Sequence, residues 1–175
     1  MVIKEIQKII KSKKGGIFIW LMIIILAFVG ISALVLDFFN LYIQSKQIKY
    51  AINRSVKAGA LAIAKGEPLA DGIFLIDETK AINNFNIILA HNLGLDEYTL
   101  EPLPRSIAYE KPIIRELEII NTTPTVYTSP TLSKDFSIEK PTVAAVLEVK
   151  IKGLFLQKTI RVAKLSSSQL GTIYD

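Results

Sequence analysis

The sequence predicts an α+β protein with a long N-terminal helix, transmembrane in its first part and amphipathic in its second, followed by a small domain with one helix and an antiparallel sheet. Two observations predict this fold. An uncharged apolar run fills residues 17–36 of the 175-residue chain, which is long enough to span a bilayer. After residue 97, short segments rich in β-branched residues replace the helical periodicity, as is typical of strands. The length beyond the helix accommodates one domain of about 110 residues.

The apolar run predicts a retained membrane anchor. At a rise of 1.5 Å per residue, the segment from Ile17 to Leu36 matches a hydrocarbon core about 30 Å thick. The apolar core of a cleaved secretory signal is shorter, about 7 to 15 residues. Residues 1–16 form a basic segment with five lysines and one glutamate. We therefore expect the lipid bilayer to be one partner of this chain.

Charges that flank the run predict its orientation. Lys13 and Lys14 stand directly before it, and the first charge after it is Asp37. Because lysines favour the cytoplasmic side, the N-terminus is expected in the cytoplasm and the C-terminal domain outside it, in a single-pass protein of the cell membrane. The sequence leaves two interpretations of Asp37 open: a charge that marks the membrane edge, or a residue that makes a specific contact.

Residues 37–65 are predicted to continue as an extracytoplasmic stalk helix, since they contain no proline and only one glycine, Gly59. Apolar residues recur there at helical spacing. Three small residues, Ser55, Gly59 and Ala62, allow close packing against another helix or against the domain's own sheet. Lys65-Gly66-Glu67-Pro68 is expected to end the helix.

Residues 66–175 are predicted to form the extracytoplasmic α+β domain. A helix is expected from Glu78 to Leu93, with Asp77 or Thr79 as its N-cap and Gly94 as its stop. The predicted strands are residues 98–103 and 113–120 and a hairpin of 142–152 and 156–165 that turns near residue 153. Residues 121–141 are expected to be an exposed loop with room for one short strand.

The residue types give little support for catalysis. The chain has no cysteine, so thiolate nucleophiles and thiolate metal sites are excluded. Its single histidine, His91, is predicted in the last turn of a helix, where a cation complements the helix dipole. The carboxylates Glu116 and Glu118 are expected to be solvated at a strand edge. We therefore predict a protein that is not an enzyme and that binds no metal and no cofactor.

Nucleic acid is not an expected partner either. Outside residues 1–16, the sixteen basic residues are balanced by fifteen acidic ones. A nucleic-acid-binding domain needs clustered Lys and Arg side chains to contact phosphates. The basic pI therefore comes from the leader and not from the domain.

An ordered set of segments over residues 13–64 resembles the TadE/TadG-like proteins of the Tad (tight adherence, Flp) pilus system. The family is similar in having a glycine before its transmembrane helix, an acidic residue at the exit, a Gln-containing helix and an alanine-rich ending. The matching segments here are Lys13-Lys14-Gly15-Gly16-Ile17-Phe18-Ile19, Gly30-Ile31-Ser32-Ala33-Leu34-Val35-Leu36-Asp37, Leu41-Tyr42, Lys46-Gln47 and Lys57-Ala58-Gly59-Ala60-Leu61-Ala62.

The resemblance implies a non-catalytic, membrane-anchored component of a Tad-type pilus assembly or secretion apparatus, with other pilus or secretion components, including pilin-like proteins, as partners. It also implies a candidate processing point between Gly16 and Ile17. TadE-type pseudopilins usually carry Glu at the fifth position after the processing glycine, where this chain has Leu21. Two alternatives stay open: a minor type IV pilin-like filament subunit processed after Gly16, and a membrane-anchored ligand-binding or sensor domain.

Overall fold

A computed structural model describes residues 13–65, 74–131 and 133–170, with the backbone alone for residues 13–15. The fold is α+β, as predicted: a long N-terminal helix precedes a small domain with a second helix and antiparallel sheets. The elements in chain order are α1 (Lys13–Ala60), α2 (Glu78–Leu93), β1 (Ile113–Ile120), β2 (Thr125–Ser129), β3 (Lys134–Ile138), β4 (Thr142–Lys152) and β5 (Thr159–Gln169).

The chain divides into two units. One contains α1 as far as Asn40, together with Gly153–Gln157, the turn between β4 and β5. The other begins at Leu41 and contains the rest of α1 and the remainder of the domain. The boundary therefore falls within α1.

The first unit presents apolar side chains on its outside. Among the described residues, α1 is the one helix that is long and apolar enough to cross a membrane by length and composition, with a mean hydropathy of 2.9 over its most apolar window. None of that window is buried. Such a helix is compatible with a membrane anchor.

The prediction that α1 continues to Lys65 is wrong, because the helix ends at Ala60. Beyond it, the backbone pairs with residues 74–77 instead of continuing the helical ladder. Ala62 O accepts a hydrogen bond from the Asp77 N–H at 2.7 Å, and Ala64 N–H donates to Leu75 O at 2.9 Å. The predicted Gly66-Glu67-Pro68 stop lies outside the described residues.

The predicted second helix is confirmed at both ends. The Asp77 carboxylate accepts the Lys80 backbone N–H at 3.0 Å and so caps the first turn of α2, which satisfies one of the amides that a helix start leaves free. Gly94 ends the helix in the left-handed conformation at φ 72°, and its N–H donates to Ala90 O. Glycine adopts this conformation without a steric penalty.

The main sheet has three antiparallel strands in the order β1-β4-β5. The predicted strand at 113–120 is confirmed, and so is the hairpin that follows the loop. The second hairpin strand is shifted: it runs from Thr159 to Gln169 and not from 156 to 165. The strand begins later because the N–H groups of Phe155 and Leu156, in the turn, donate to the side chain of Asp37 on α1 and not to β4.

The hydrophobic core lies between β4 and the two helices. It joins buried residues of β4 with Ile48, Ile52 and Val56 of α1 and with Phe85 and Leu89 of α2. The contributing residues of β4 alternate along the strand, as the sequence pattern predicts: Val143, Ala145, Leu147, Val149 and Ile151. Residues 48–60 of α1 are thus part of the domain's core.

Two regions of the domain differ from prediction. Residues 98–103 form turns with a single bridge between Leu95 and Pro102, not a strand, because the Asp96 carboxylate accepts the backbone N–H groups of Tyr98 and Thr99. Residues 121–141 contain β2 and β3, paired antiparallel as a separate two-stranded sheet. Both strands are short, and most of their residues are polar and partly or fully exposed, so the sequence lacks the apolar alternation of a half-buried strand.

Candidate functional site

Asp37 binds the turn between β4 and β5, which we call the tip turn (Gly153–Gln157). One carboxylate oxygen, Oδ1, accepts the Phe155 N–H at 2.7 Å, and the other, Oδ2, accepts the Leu156 N–H at 2.8 Å. Only 4% of Asp37 is exposed. The residue is thus held by a bidentate interaction with the backbone of a segment more than one hundred residues away in the chain.

The local sequence explains why the tip turn can surround a carboxylate. A β-carbon at Gly153 would lie 2.9 Å from Asp37 Oδ2, which is too close for any side chain without a shift. At the other end, Gln157 takes a positive φ of 55°, and its side-chain amide donates to Leu154 O at 2.8 Å. Successive backbone N–H groups in such a turn form a concave anion-binding arrangement.

The geometry answers the question that the sequence left open for Asp37. The carboxylate makes a specific contact, and hydrogen bonds from the backbone occupy both of its oxygens. Hydrogen bonds to a charged acceptor are stronger than those between neutral groups. The arrangement suits a structural anchor that fixes the tip turn to the helix and not a general acid or base.

The side chains of the tip turn face outward. Leu154, Phe155 and Leu156 are 58%, 53% and 58% exposed. Phe38 and Phe39, the two residues after Asp37 on α1, are also exposed. The Asp37 site is therefore a polar centre within an apolar surface that belongs to the same unit of the structure.

The predicted processing point lies in the first turns of α1. Apart from the neighbouring backbone of α1, no described atom lies within 4 Å of a β-carbon built at Gly16, and the Ile17 side chain is 71% exposed. Leu21, the fifth residue after Gly16, is also exposed. Lys13 and Lys14 form the start of the helix, and their side chains lie outside the described part of the structure.

The predicted helix-packing residues lie against the chain's own domain. Ser55 is fully buried, and its hydroxyl donates to Ala51 O at 2.8 Å. A β-carbon at Gly59 would lie 3.2 Å from Ala81 O of α2 and 3.5 Å from two methyl carbons of Val143 on β4. Ala62 is also buried. Of the two packing partners that the sequence allowed, these residues contact the chain's own helix and sheet.

Glu116 forms a buried cluster that the sequence analysis missed. The prediction that this carboxylate is solvated is wrong, because it is only 8% exposed and accepts hydrogen bonds from the β2–β3 hairpin. Its donors are the Tyr127 hydroxyl at 2.8 Å, the Ser129 hydroxyl at 2.8 and 3.0 Å, and the Thr131 backbone N–H. A register irregularity between Ile114 and Glu116 interrupts the pairing of β1 at this point. Bulges of this kind redirect side chains, and the sequence alone does not reveal them.

The electrostatics of the cluster follow from its hydrogen bonds. Burial acts to raise the pKa of Glu116, but the hydrogen bonds from Thr131, Ser129 and Tyr127 outweigh it and hold this pKa below its usual value. Burial and the neighbouring Glu116 raise the pKa of the Tyr127 hydroxyl. The carboxylate therefore stays ionised and ties the small sheet to the main one.

The parts of the chain that the structure describes contain no group of three or more His, Cys, Asp or Glu side chains that could hold a metal ion. His91 lies in the last turn of α2, where its predicted position is confirmed.

Comparisons of the chain with protein-family models, with curated proteins and with solved structures found no match. The fold and the site therefore define a class only in structural terms: an α+β domain carried on a long apolar helix, with a hairpin turn bound to an acidic residue of that helix.

Proposed function

We propose that this protein is a non-catalytic, membrane-anchored component of a Tad/Flp-type pilus assembly or secretion apparatus. In this proposal residues 17–36 cross the cell membrane once, the N-terminus is cytoplasmic, and the domain acts outside the cytoplasm through packing with other components. The observation that carries the proposal is the ordered set of segments over residues 13–64, in which the acidic exit residue Asp37 is bound by the domain's own tip turn.

Burial supports the membrane part of the proposal. The most apolar window of α1 has none of its residues buried, whereas a core helix of a soluble protein would bury most of that surface. Large exposed apolar patches mark sites that contact lipid or another protein. The lysines before the run and the acidic residue after it support a cytoplasmic N-terminus.

The packing of α1 limits how the domain could assemble with partners. Ser55 and Gly59 are occupied by contacts inside the chain, so they are not free for a partner helix in this conformation. Among the described residues, the apolar part of α1 stays exposed. The outer strands of the main sheet are β1 and β5, and α1 contacts β5 through Lys49, which donates to Leu165 O, and through Asn53, whose side chain accepts from the Ser166 hydroxyl. Edges of outer strands such as β1 are common sites for protein association.

The proposal is tested by isolating the tagged full-length chain from membranes of cells that express the complete pilus locus. We expect other pilus or secretion components to be recovered with it in mild detergent. A tagged single-pass protein of similar size from the same membrane provides the control for non-specific recovery. Export of a folded domain that recovers no pilus or secretion component would contradict the proposal.

A second candidate is a minor pilin-like filament subunit that is cleaved after Gly16. The observation that favours it is the continuity of α1: one 48-residue helix begins at Lys13, contains the apolar segment and ends inside the core of the α+β domain. Leu21 in place of a glutamate is the feature that argues against it, because the new amino group would lack its charge partner.

The two candidates differ in the mass of the mature protein. We would measure the intact mass of the chain extracted from cells that also express the pilus peptidase. A mass that starts at Ile17 favours the filament subunit, and a mass that retains the leader favours the permanent anchor. Gly16→Val should abolish cleavage while Gly15→Val serves as the neighbouring control. Absence of the protein from sheared surface fibres would exclude the filament role.

A further inference from the structure

We propose that the tip turn is a second membrane contact, in which Leu154, Phe155 and Leu156 insert into the outer interfacial layer of the bilayer that α1 crosses. The partner is the lipid surface itself. This inference rests on the proposed membrane anchoring of α1 and adds a contact made by the domain.

The hydrogen bonds of Asp37 determine the level of the tip turn along the helix. Asp37 follows the last residue of the apolar run directly, and its carboxylate oxygens lie 2.7 and 2.8 Å from the N–H nitrogens of Phe155 and Leu156. A bilayer has a hydrocarbon core of about 30 Å and interfacial layers that bring it to about 40–45 Å. Each interfacial layer is therefore several ångströms thick, and the tip turn lies at the boundary between core and interface.

The chemistry of the tip turn suits that layer. Its three consecutive apolar side chains are more than half exposed, although nothing in a soluble domain requires Leu-Phe-Leu at the end of a hairpin. Phe and Leu side chains of segments that lie on membranes are buried at the boundary between headgroups and acyl chains, and Phe38 and Phe39 of α1 lie beside Asp37 in the same unit. Lys158 follows the turn in sequence, where a long cationic side chain can reach lipid phosphates.

Backbone polar groups of the tip turn have hydrogen-bond partners within the protein. Backbone N–H groups near hydrocarbon need partners, because water is scarce there. Asp37 supplies acceptors for the N–H groups of Phe155 and Leu156, and Gln157 donates to the Leu154 carbonyl. The turn thus combines an apolar outer surface with a backbone that is hydrogen-bonded internally. Asp37 acts here as a positioning residue, since it does not itself contact lipid in this proposal.

The test uses single cysteines in the full-length chain, which has no native cysteine. Leu154→Cys, Leu34→Cys and Val126→Cys are each labelled with a nitrobenzoxadiazole dye in vesicles of phosphatidylethanolamine and phosphatidylglycerol. Leu34 reports on the proposed span, and Val126, an exposed apolar residue of β2, is the matched control. Spin-labelled lipids report contact with the bilayer, and iodide reports contact with water.

We expect the dye at position 154 to emit at shorter wavelength than the dye at 126, to be quenched by lipids labelled near the headgroup, and to be protected from iodide. Asp37→Asn should reduce the lipid quenching at 154, while Asp96→Asn, which alters another carboxylate-bound turn, should leave it unchanged. Equal iodide quenching at 154 and 126, without lipid quenching, would overturn the inference. So would protection from both quenchers, which indicates contact with protein.

The dye at position 34 separates the two proposals. Lipid quenching at 34 without lipid quenching at 154 leaves the anchor in place and refutes the contact by the tip turn. Absence of lipid quenching at 34 refutes the anchor, and the proposed contact of the tip turn fails with it.

Discussion

Replacement of Gly59 by valine tests whether this residue packs inside its own chain or against a partner helix. A β-carbon there already lies 3.2 Å from Ala81 O, a backbone atom of α2 that cannot rotate away. The two additional methyl groups of valine would extend further into the space of Val143, whose methyl carbons lie 3.5 Å from the built β-carbon. The substitution therefore overpacks the junction of α1, α2 and β4.

The expected loss of folding stability follows from these distances. Overpacking a filled core costs about 1–3 kcal/mol, and the better helix propensity of valine relative to glycine offsets only a few tenths of a kcal/mol. For a domain of this size, we expect the melting temperature to fall by roughly 4–12 °C. Gly30→Val is the matched control in the same helix, because no described atom other than the neighbouring backbone of α1 lies within 4 Å of a β-carbon at Gly30.

The assay is thermal unfolding of the purified full-length chain in detergent, followed by circular dichroism of the domain. Unchanged stability of the Gly59→Val variant, together with loss of recovered pilus components, would refute the reasoning, because it would mean that the glycine serves a partner and not the core. A comparable loss of stability in the Gly30→Val variant would also refute it, since the effect would then not depend on the contacts of the domain.

Three further predictions concern the carboxylate sites and the core. Asp37→Asn should speed hydrogen exchange of the amides in the tip turn by about tenfold or more, because an NH₂ group then faces a backbone donor, while Asp96→Asn should leave those amides unchanged. Glu116→Gln should lower the free energy of unfolding in urea at pH 7 by about 1–2 kcal/mol, and Glu118→Gln on the same strand should lower it much less. The pKa of Glu116 is lowered in the folded state from its ordinary value of 4.5. Its stabilising effect is therefore present above that pH and is lost as the pH falls through the folded-state pKa. A difference in the free energy of unfolding between Glu116→Gln and the native chain that is equally large at pH 7 and pH 3 would contradict this. Phe85→Ala should cost about 3–5 kcal/mol in the same urea assay, since the side chain is fully buried in the core, and a cost near zero would show that the helix does not pack as described.

The Asp37 site is formed by two parts of the chain that are far apart in sequence. The sequence identifies Asp37 as the first charge after an apolar run, and that is a local property. Its hydrogen-bond partners come from a turn between two strands near the other end of the chain. Nothing in the residues around Asp37 specifies that turn, so only the folded structure could distinguish a membrane-edge charge from a specific contact.

The shift of β5 has the same origin. Sequence alternation predicts that the strand begins near Leu156, because Leu156, Ile160 and Val162 fall on one face of an extended chain. In the structure the strand begins at Thr159, since the backbone at Phe155 and Leu156 is hydrogen-bonded to the helix. The apolar residues of the tip turn have the sequence pattern of a strand, but in the tertiary structure they form a turn that is hydrogen-bonded to Asp37.

The sequence by itself determined the features that depend on short-range pattern. The apolar run, the bounds and caps of α2, the strand β1 and the inward face of β4 follow from periodicity and capping residues that act within a few positions. The tertiary structure alone decided the end of α1 at Ala60, the pairing of β2 with β3, the burial of Glu116 and the contact between Asp37 and the tip turn. Each of these depends on backbone or side-chain groups that meet only after the chain has folded, because residues far apart in sequence must compete for the same hydrogen-bond donors and acceptors.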